Sequence, residues 1–306
     1  MSENILEVKD LVKNYDSYRA VDNISFSIKK GQVLGLLGPN GAGKSTTIQI
    51  LVGVTLPTSG KISYFRKDFF KHPQESLQRI NFASAYNTLQ GRITVKENLL
   101  VFAGLYQVKD PMNRISELLE YFEIRRLADH KYWDLSAGER TRVNLVKAML
   151  NNPELILMDE PTASLDPDIA DKTLSLIEEL RRDRNISILF TSHNMSEVAR
   201  ICDEVIFLDK GRIVSKDTPQ NHTKKLKEVE VKIKHKNNKI EVEEILKKEG
   251  LDFEIRPKNM AVIKTSNEKI AELIAKLNDK KIVIIDLEIR KPSLEDVFLE
   301  IARNKK

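Results

Sequence analysis

Cysteine is almost missing from this chain: 306 residues hold one, Cys202, so no internal disulfide framework can form. That excludes small cross-linked secreted scaffolds and suits a reducing cytoplasm. Long apolar runs are missing as well. No eighteen consecutive apolar residues occur, which excludes a membrane-spanning helix, and the N-terminal residues carry no signal-peptide pattern. Most of the chain also lacks an excess of either charge. Before residue 224 there are twenty-nine basic and twenty-nine acidic residues; from there on, twenty-one Lys and Arg face sixteen Asp and Glu, which places the net +5 in the tail. Such a basic tail could meet anionic headgroups or nucleic acid, and is as readily a solvated lysine-rich surface. The length is enough to bury a full core, and suggests one large domain plus a smaller one.

What is present is a glycine-rich loop of defined spacing. Gly38, Pro39, Asn40, Gly41, Ala42, Gly43, Lys44, Ser45 and Thr46 fit the pattern G-x-x-x-x-G-K-S/T. The apolar run Val33–Leu37 before them reads as a buried strand, and Thr47–Val52 after them as a helix. Glycines at 41 and 43 let the backbone curl and aim N–H groups at phosphate oxygens, and the helix N-terminus adds its partial positive charge. Lys44 supplies a full charge for the β- and γ-phosphates, and the Ser45 hydroxyl can ligate Mg²⁺. The loop predicts a nucleoside triphosphate site.

Two further strand ends carry polar groups. Leu155–Met158 is a short apolar run ending in Asp159 and Glu160, acids at the C-terminal tip of a buried parallel strand, the edge where ligands gather in open α/β sheets. Asp159 suits a Mg²⁺ ion held through its water shell, and Glu160 suits a general base that activates water. The run Ile186–Thr191 leads to His193. Leu135-Ser136-Ala137-Gly138-Glu139 places a hydroxyl and backbone N–H groups at the start of a helix, a second anion-binding terminus.

With Ala163-Ser164-Leu165-Asp166, these segments resemble, in order and spacing, the Walker A, signature, Walker B, D-loop and switch histidine of ABC ATPases, over roughly residues 3 to 220. The resemblance implies ATP and Mg²⁺ as ligands, and a head-to-tail pair of ATPase subunits, identical or related. In that pair the signature residues Ser136 and Gly138 of one chain, with the D-loop Asp166, close over ATP held by the other. It also implies contact of His193 with the γ-phosphate, adenine stacking on Tyr15 with Tyr18 as competitor, and an integral membrane permease docking near residues 85 to 106. Either tyrosine could instead pack on the surface. Here Ala137 stands where the family has glycine, Glu139 where it has glutamine, and Ala85 where it has a metal-sensing glutamine; Gln90 comes five residues late. An alanine methyl cannot ligate metal, so another group or a water is expected to complete the shell.

The expected fold is an α/β P-loop core with an antiparallel β lobe (strands near Ile5–Val12 and Ile24–Ile28) and a helical subdomain over Val95–Leu150. These form a nucleotide-binding domain at 1–220. A polar, lysine-rich join over 221–227 leads into an accessory or dimerisation domain at 224–306. Its order β-α-β-β-α-β, followed by a last helix at Ser293–Arg303, suggests a ferredoxin-like unit. The ending Lys291–Leu299 resembles the C-terminal element of exporter ATPases that pair with a separate permease. The expectation is an ATP-hydrolysing export subunit at the cytoplasmic face of the membrane, with no nucleic acid partner. Few aromatics (6%) and no spans leave cargo recognition to the permease. Import with a metabolite-binding tail, a soluble ATPase acting on ribosomes or nucleic acid, and a non-catalytic module are the alternatives. The ribosomal type generally fuses two nucleotide domains in one chain or inserts a long coiled coil, and neither is present.

Overall fold

The computed structural model describes residues 3–86, 88–226 and 228–303. In chain order its elements are β1 (Asn4–Tyr15), β2 (Tyr18–Lys29), β3 (Val33–Leu37), α1 (Lys44–Leu51), β4 (Ser59–Tyr64), β5 (Lys67–Asp68), α2 (Pro73–Leu77) and β6 (Ile80–Ser84). There follow α3 (Val95–Leu105), α4 (Pro111–Tyr121), α5 (Ala137–Met149), β7 (Leu155–Asp159), α6 (Pro167–Arg184), β8 (Ser187–Thr191), α7 (Met195–Ile201), β9 (Glu204–Asp209) and β10 (Arg212–Asp217). Next come α8 (Pro219–Lys224), β11 (Glu228–His235), α9 (Lys239–Lys248), β12 (Asp252–Arg256), β13 (Met260–Ser266), α10 (Ile270–Asp279), β14 (Ile284–Arg290) and α11 (Leu294–Arg303). The chain divides into two compact units, Met1–Pro219 and Gln220–Lys306.

The first unit is built on a six-stranded sheet of order β10-β9-β3-β8-β7-β6. All its neighbours pair in parallel except β10, which runs antiparallel to β9. All five residues of β3 are buried, as expected of a parallel strand covered on both faces. Because β3, β7 and β8 run the same way, Leu37, Asp159 and Thr191 end at one edge, with Asp159 directly opposite Thr191. That edge positions the site. Behind it Cys202 caps α7 against β3: a Cβ built on Gly35 would lie 3.1 Å from the Cys202 Sγ, so the glycine permits the close approach.

The antiparallel lobe has the order β2-β1-β4-β5. The strands expected at Ile5–Val12 and Ile24–Ile28 are the parts farther from the turn of a longer hairpin that closes on the pair Tyr15 and Tyr18. Strands β4 and β5 were not expected, since the polar Ser59-Gly60-Lys61 start of β4 hides its inward residues Ile62 and Tyr64. Lobe and sheet share one apolar core, in which Leu6, Val8, Ile28 and Ile62 join Leu34, Leu36, Leu157 and Leu189. In the helical block, α3 and α5 each begin with a capping box, Thr94 with Glu97 and Ser136 with Glu139, which satisfies backbone N–H groups that a helix start leaves open. The periodic segment read at Ile115–Phe122 lies in α4, where Ile115, Leu118 and Leu119 are buried.

In the second unit the sheet order is β12-β13-β11-β14, with all three pairings antiparallel. That is the split βαβ arrangement of a ferredoxin-like unit. Val229, Val231 and Ile233 of β11 pack with Val242 and Leu246 of α9 and Leu273 and Leu277 of α10 in a core of their own. The first residues of the polar join lie in α8, which opens with Pro219 at the first helical position, where its fixed φ and missing N–H cost nothing.

Candidate nucleotide site

The phosphate loop joins β3 to α1 and is shaped by its glycines. Gly43 has φ +100°, and a Cβ there would sit 2.4 Å from the Ala20 carbonyl oxygen, so only glycine fits. The turn is closed by Ala42 N–H donating to Pro39 O at 3.1 Å. The Lys44 ammonium lies inside the loop, donating to Gly38 O at 2.6 Å and Pro39 O at 3.2 Å. Desolvation pulls the Lys44 pKa below its ordinary value, against the opposing charges of Glu160 and Asp159. Ser45 is exposed and Thr46 half-buried on the first turn of α1.

The acids stand at the neighbouring strand end. Thr191 Oγ1 donates to Asp159 Oδ1 at 2.6 Å and accepts the Glu160 N–H at 3.1 Å. Glu160 has φ +51°, a left-handed conformation rare outside glycine, which breaks the strand and turns the side chain out of the ladder. Its Oε1 lies 2.7 Å from His193 Nε2, close enough to accept a ring proton. Its Oε2 is 3.4 Å from the Tyr86 hydroxyl, and the Glu160 charge is the main reason the Tyr86 pKa is raised. Glu160 and His193 also line an open cleft of about 490 Å³ with Ala163, Leu165 and Asn194. Beneath it the buried Glu197 Oε2 accepts hydrogen bonds from Thr162 and Ser192 hydroxyls, both at 2.7 Å, tying the segment after the acids to the segment before the histidine.

The other sequence-read residues fall elsewhere. Ser136 and Gly138 line a separate cleft of about 210 Å³ with Arg126, Glu139 and Ile169, which contains no phosphate-loop residue. A Cβ on Gly138 would lie 2.6 Å from Ile169 Cγ2. The Ser136 hydroxyl and N–H both donate to Glu139 Oε2 at 3.0 Å, while Arg126 holds Oε1 at 2.6 Å. These contacts, the Ser136 backbone bond first, lower the Glu139 pKa. Asp166 is exposed as the N-cap residue of α6. Tyr15 is exposed beneath the Lys13 ammonium, 4.8 Å from its ring centre. Tyr18 instead donates its hydroxyl to Gly41 O at 2.9 Å and so braces the phosphate loop. Ala85 sits in the turn after β6. Thr191, Glu197 and Tyr86 were given no role from the sequence, although Thr191 lies two residues before His193 and Tyr86 directly follows Ala85.

Known proteins resemble this chain in sequence and fold. The family model described as ABC transporter matches residues 21–163. The bacitracin transport ATP-binding protein BcrA of Bacillus licheniformis is 31% identical over 97% of each chain. Nod factor export ATP-binding protein I of Burkholderia pseudomallei is 34% identical over 72% of this chain and 73% of its own. Among solved structures, cbiO1 of Clostridium perfringens, part of the ABC transporter complex cbiONQ, superposes with a TM-score of 0.65 at 29% identity, over 72% of this chain and 90% of its own. The ADP conformation of MJ1267, an ATP-binding cassette of an ABC transporter, does so with a TM-score of 0.65 at 28% identity, over 72% of this chain and 93% of its own. End-to-end similarity to one such protein, the family match and the shared fold place the chain among the ATP-binding, ATP-hydrolysing subunits of ABC transporters.

Proposed function

We propose that this chain is the motor subunit of an exporter, which hydrolyses ATP at the cytoplasmic face of a membrane to drive a separately encoded permease. The observation that carries the catalytic part is the meeting of Glu160 with His193 beside Asp159 at the sheet edge that also holds the phosphate loop. The loop N–H groups and Lys44 bind the phosphates; Lys44 exchanges the Gly38 and Pro39 carbonyls for phosphate oxygens. Glu160 accepts the proton of the attacking water, and His193 holds the γ-phosphate and water in line. Tyr15 stacks on the base.

The site chemistry fits Mg²⁺. Asp159 has one carboxylate oxygen engaged by Thr191 and the other available, and the Ser45 hydroxyl stands exposed at the start of α1, a hard-oxygen donor set. Ser45 and Asp159 would hold it, and when bound it would supply positive charge against the charge that develops on the phosphates in the transition state. The remaining chemistry belongs to the chain's own residues.

Two copies are needed because the Ser136 and Gly138 helix terminus lies in a different cleft from the phosphate loop of its own chain. Head-to-tail pairing, with Asp166 at the seam, brings that terminus to the partner's γ-phosphate. Export is supported by the likeness to a Nod factor export protein and by the exporter-like ending Lys291–Leu299, and transport by the full-length likeness to a bacitracin transport protein. Among the described residues no helix is long and apolar enough to cross a membrane, so the span belongs to the partner. Glu160→Gln tests the reading: turnover falls at least a hundredfold, while Mg-ATP converts the protein to a dimer on size exclusion. A variant that still turns over at the wild-type rate rejects Glu160 as the base.

A further inference from the structure

Position 85 offers the site nothing but a methyl group, yet the residue after it reaches the chemistry. Strand β6 ends at Ser84, and the Tyr86 N–H donates back to the Ser84 hydroxyl at 3.2 Å, closing a tight turn. The turn throws the Tyr86 ring into solvent, where it is 67% exposed, and lays its hydroxyl 3.4 Å from Glu160 Oε2. The other oxygen of the same carboxylate is 2.7 Å from His193 Nε2. One carboxylate is thus addressed on both oxygens by donors from two loops that follow β6 and β8. Those strands flank β7, the strand that delivers Glu160. An exposed tyrosine gains little by reaching over a neighbouring strand end unless its hydroxyl has work there, since holding the ring costs rotamer freedom.

We propose that Tyr86 is a positioning residue for ATP hydrolysis, its hydroxyl fixing the Glu160 carboxylate toward the attacking water from the side opposite His193. The inference rests on the reading of Glu160 as the general base. The Tyr86 hydroxyl donates to Oε2 and holds the carboxylate plane; Oε1 then faces the water and the imidazole. The turn after β6 thereby supplies through the carboxylate what a side chain at position 85 cannot supply through the metal.

The test is Tyr86→Phe in the full-length protein, which removes one exposed oxygen and keeps the ring. We expect kcat to fall about tenfold, the scale of one hydrogen bond to a charged group, with KM and the equilibrium affinity for Mg-ATP unchanged. In a Glu160→Gln background the same change should have no further effect on residual turnover, because the group it positions is gone. An unchanged kcat overturns the proposal, as does a loss confined to ATP affinity, or a tenfold loss that persists in the Glu160→Gln background. Wild-type turnover by Glu160→Gln alone instead rejects the reading of Glu160, and so separates that failure from a failure of Tyr86.

Discussion

The hydroxyl of Thr191 holds two acidic neighbours at once, donating to the Asp159 carboxylate and accepting the Glu160 N–H. Thr191→Val keeps the shape of a fully buried side chain and removes both bonds. It is expected to cut kcat about tenfold or more while the protein stays folded, with unfolding free energy lowered by about 1–3 kcal/mol for the Asp159 oxygen left without its donor, since the Glu160 N–H keeps the Thr191 carbonyl. Steady-state kinetics and urea denaturation check both halves. At this scale the phosphate loop was the most legible part of the sequence, because phosphate binding demands fixed residue types at fixed spacing within one turn. The contacts of Thr191 with Asp159 and of Tyr86 with Glu160 were not legible, because each joins side chains that only the sheet brings together. The Tyr18 bond to Gly41 is a similar case: sequence offered two tyrosines for the base, and the fold occupies one of them with the loop.

Helix α5 and strand β6 are tied by a half-buried lysine. Lys147 donates to Phe82 O at 3.0 Å and Asn81 Oδ1 at 3.3 Å, and its ammonium lies 5.4 Å from the centre of the Phe102 ring. Burial pulls its pKa down from 10.5 to about 8. The unfolded chain therefore keeps a proton that the folded chain has lost between those two values, so this residue makes stability rise with pH across that window. Lys147→Met should remove that rise. Unfolding free energies of the two proteins, compared from neutral pH to about 10, will converge or diverge accordingly; parallel curves reject the assignment. Element boundaries were legible where local chemistry marks them, as at the capping boxes of α3 and α5. They were hidden at β4 and β5, whose inward residues are few: β4 takes its partner β1 from some fifty residues back in the chain, and β5 is a two-residue edge strand on β4.

At the scale of the whole chain, the described residues include an apolar core running from Ile5 to Leu208 and, separate from it in sequence, another from Val229 to Ile282. Each unit carries enough of its own core to unfold as a cooperative body. Calorimetry should resolve two transitions, and Mg-ADP should raise only the one belonging to the nucleotide-binding unit, by about 2.7 kcal/mol at a hundred times the dissociation constant. A single transition that moves as a whole would mean the units melt together. The fold class of both units was readable because apolar runs or periodicity survive in most of the strands and helices, β4 and β5 excepted; the sheet orders followed only once pairing was in view. The lone cysteine has a different bearing on the molecule. Cys202 is wedged against Gly35 beneath the central sheet, and burial pushes its thiol far above the range in which it would ionise. The folded native protein is therefore expected to react slowly with thiol reagents, which a free-thiol assay with and without denaturant checks. A cysteine introduced on the phosphate loop, the signature helix or the accessory unit would be the single reactive thiol, so dyes or spin labels could test for closure of the proposed subunit pair without first stripping the natural chain.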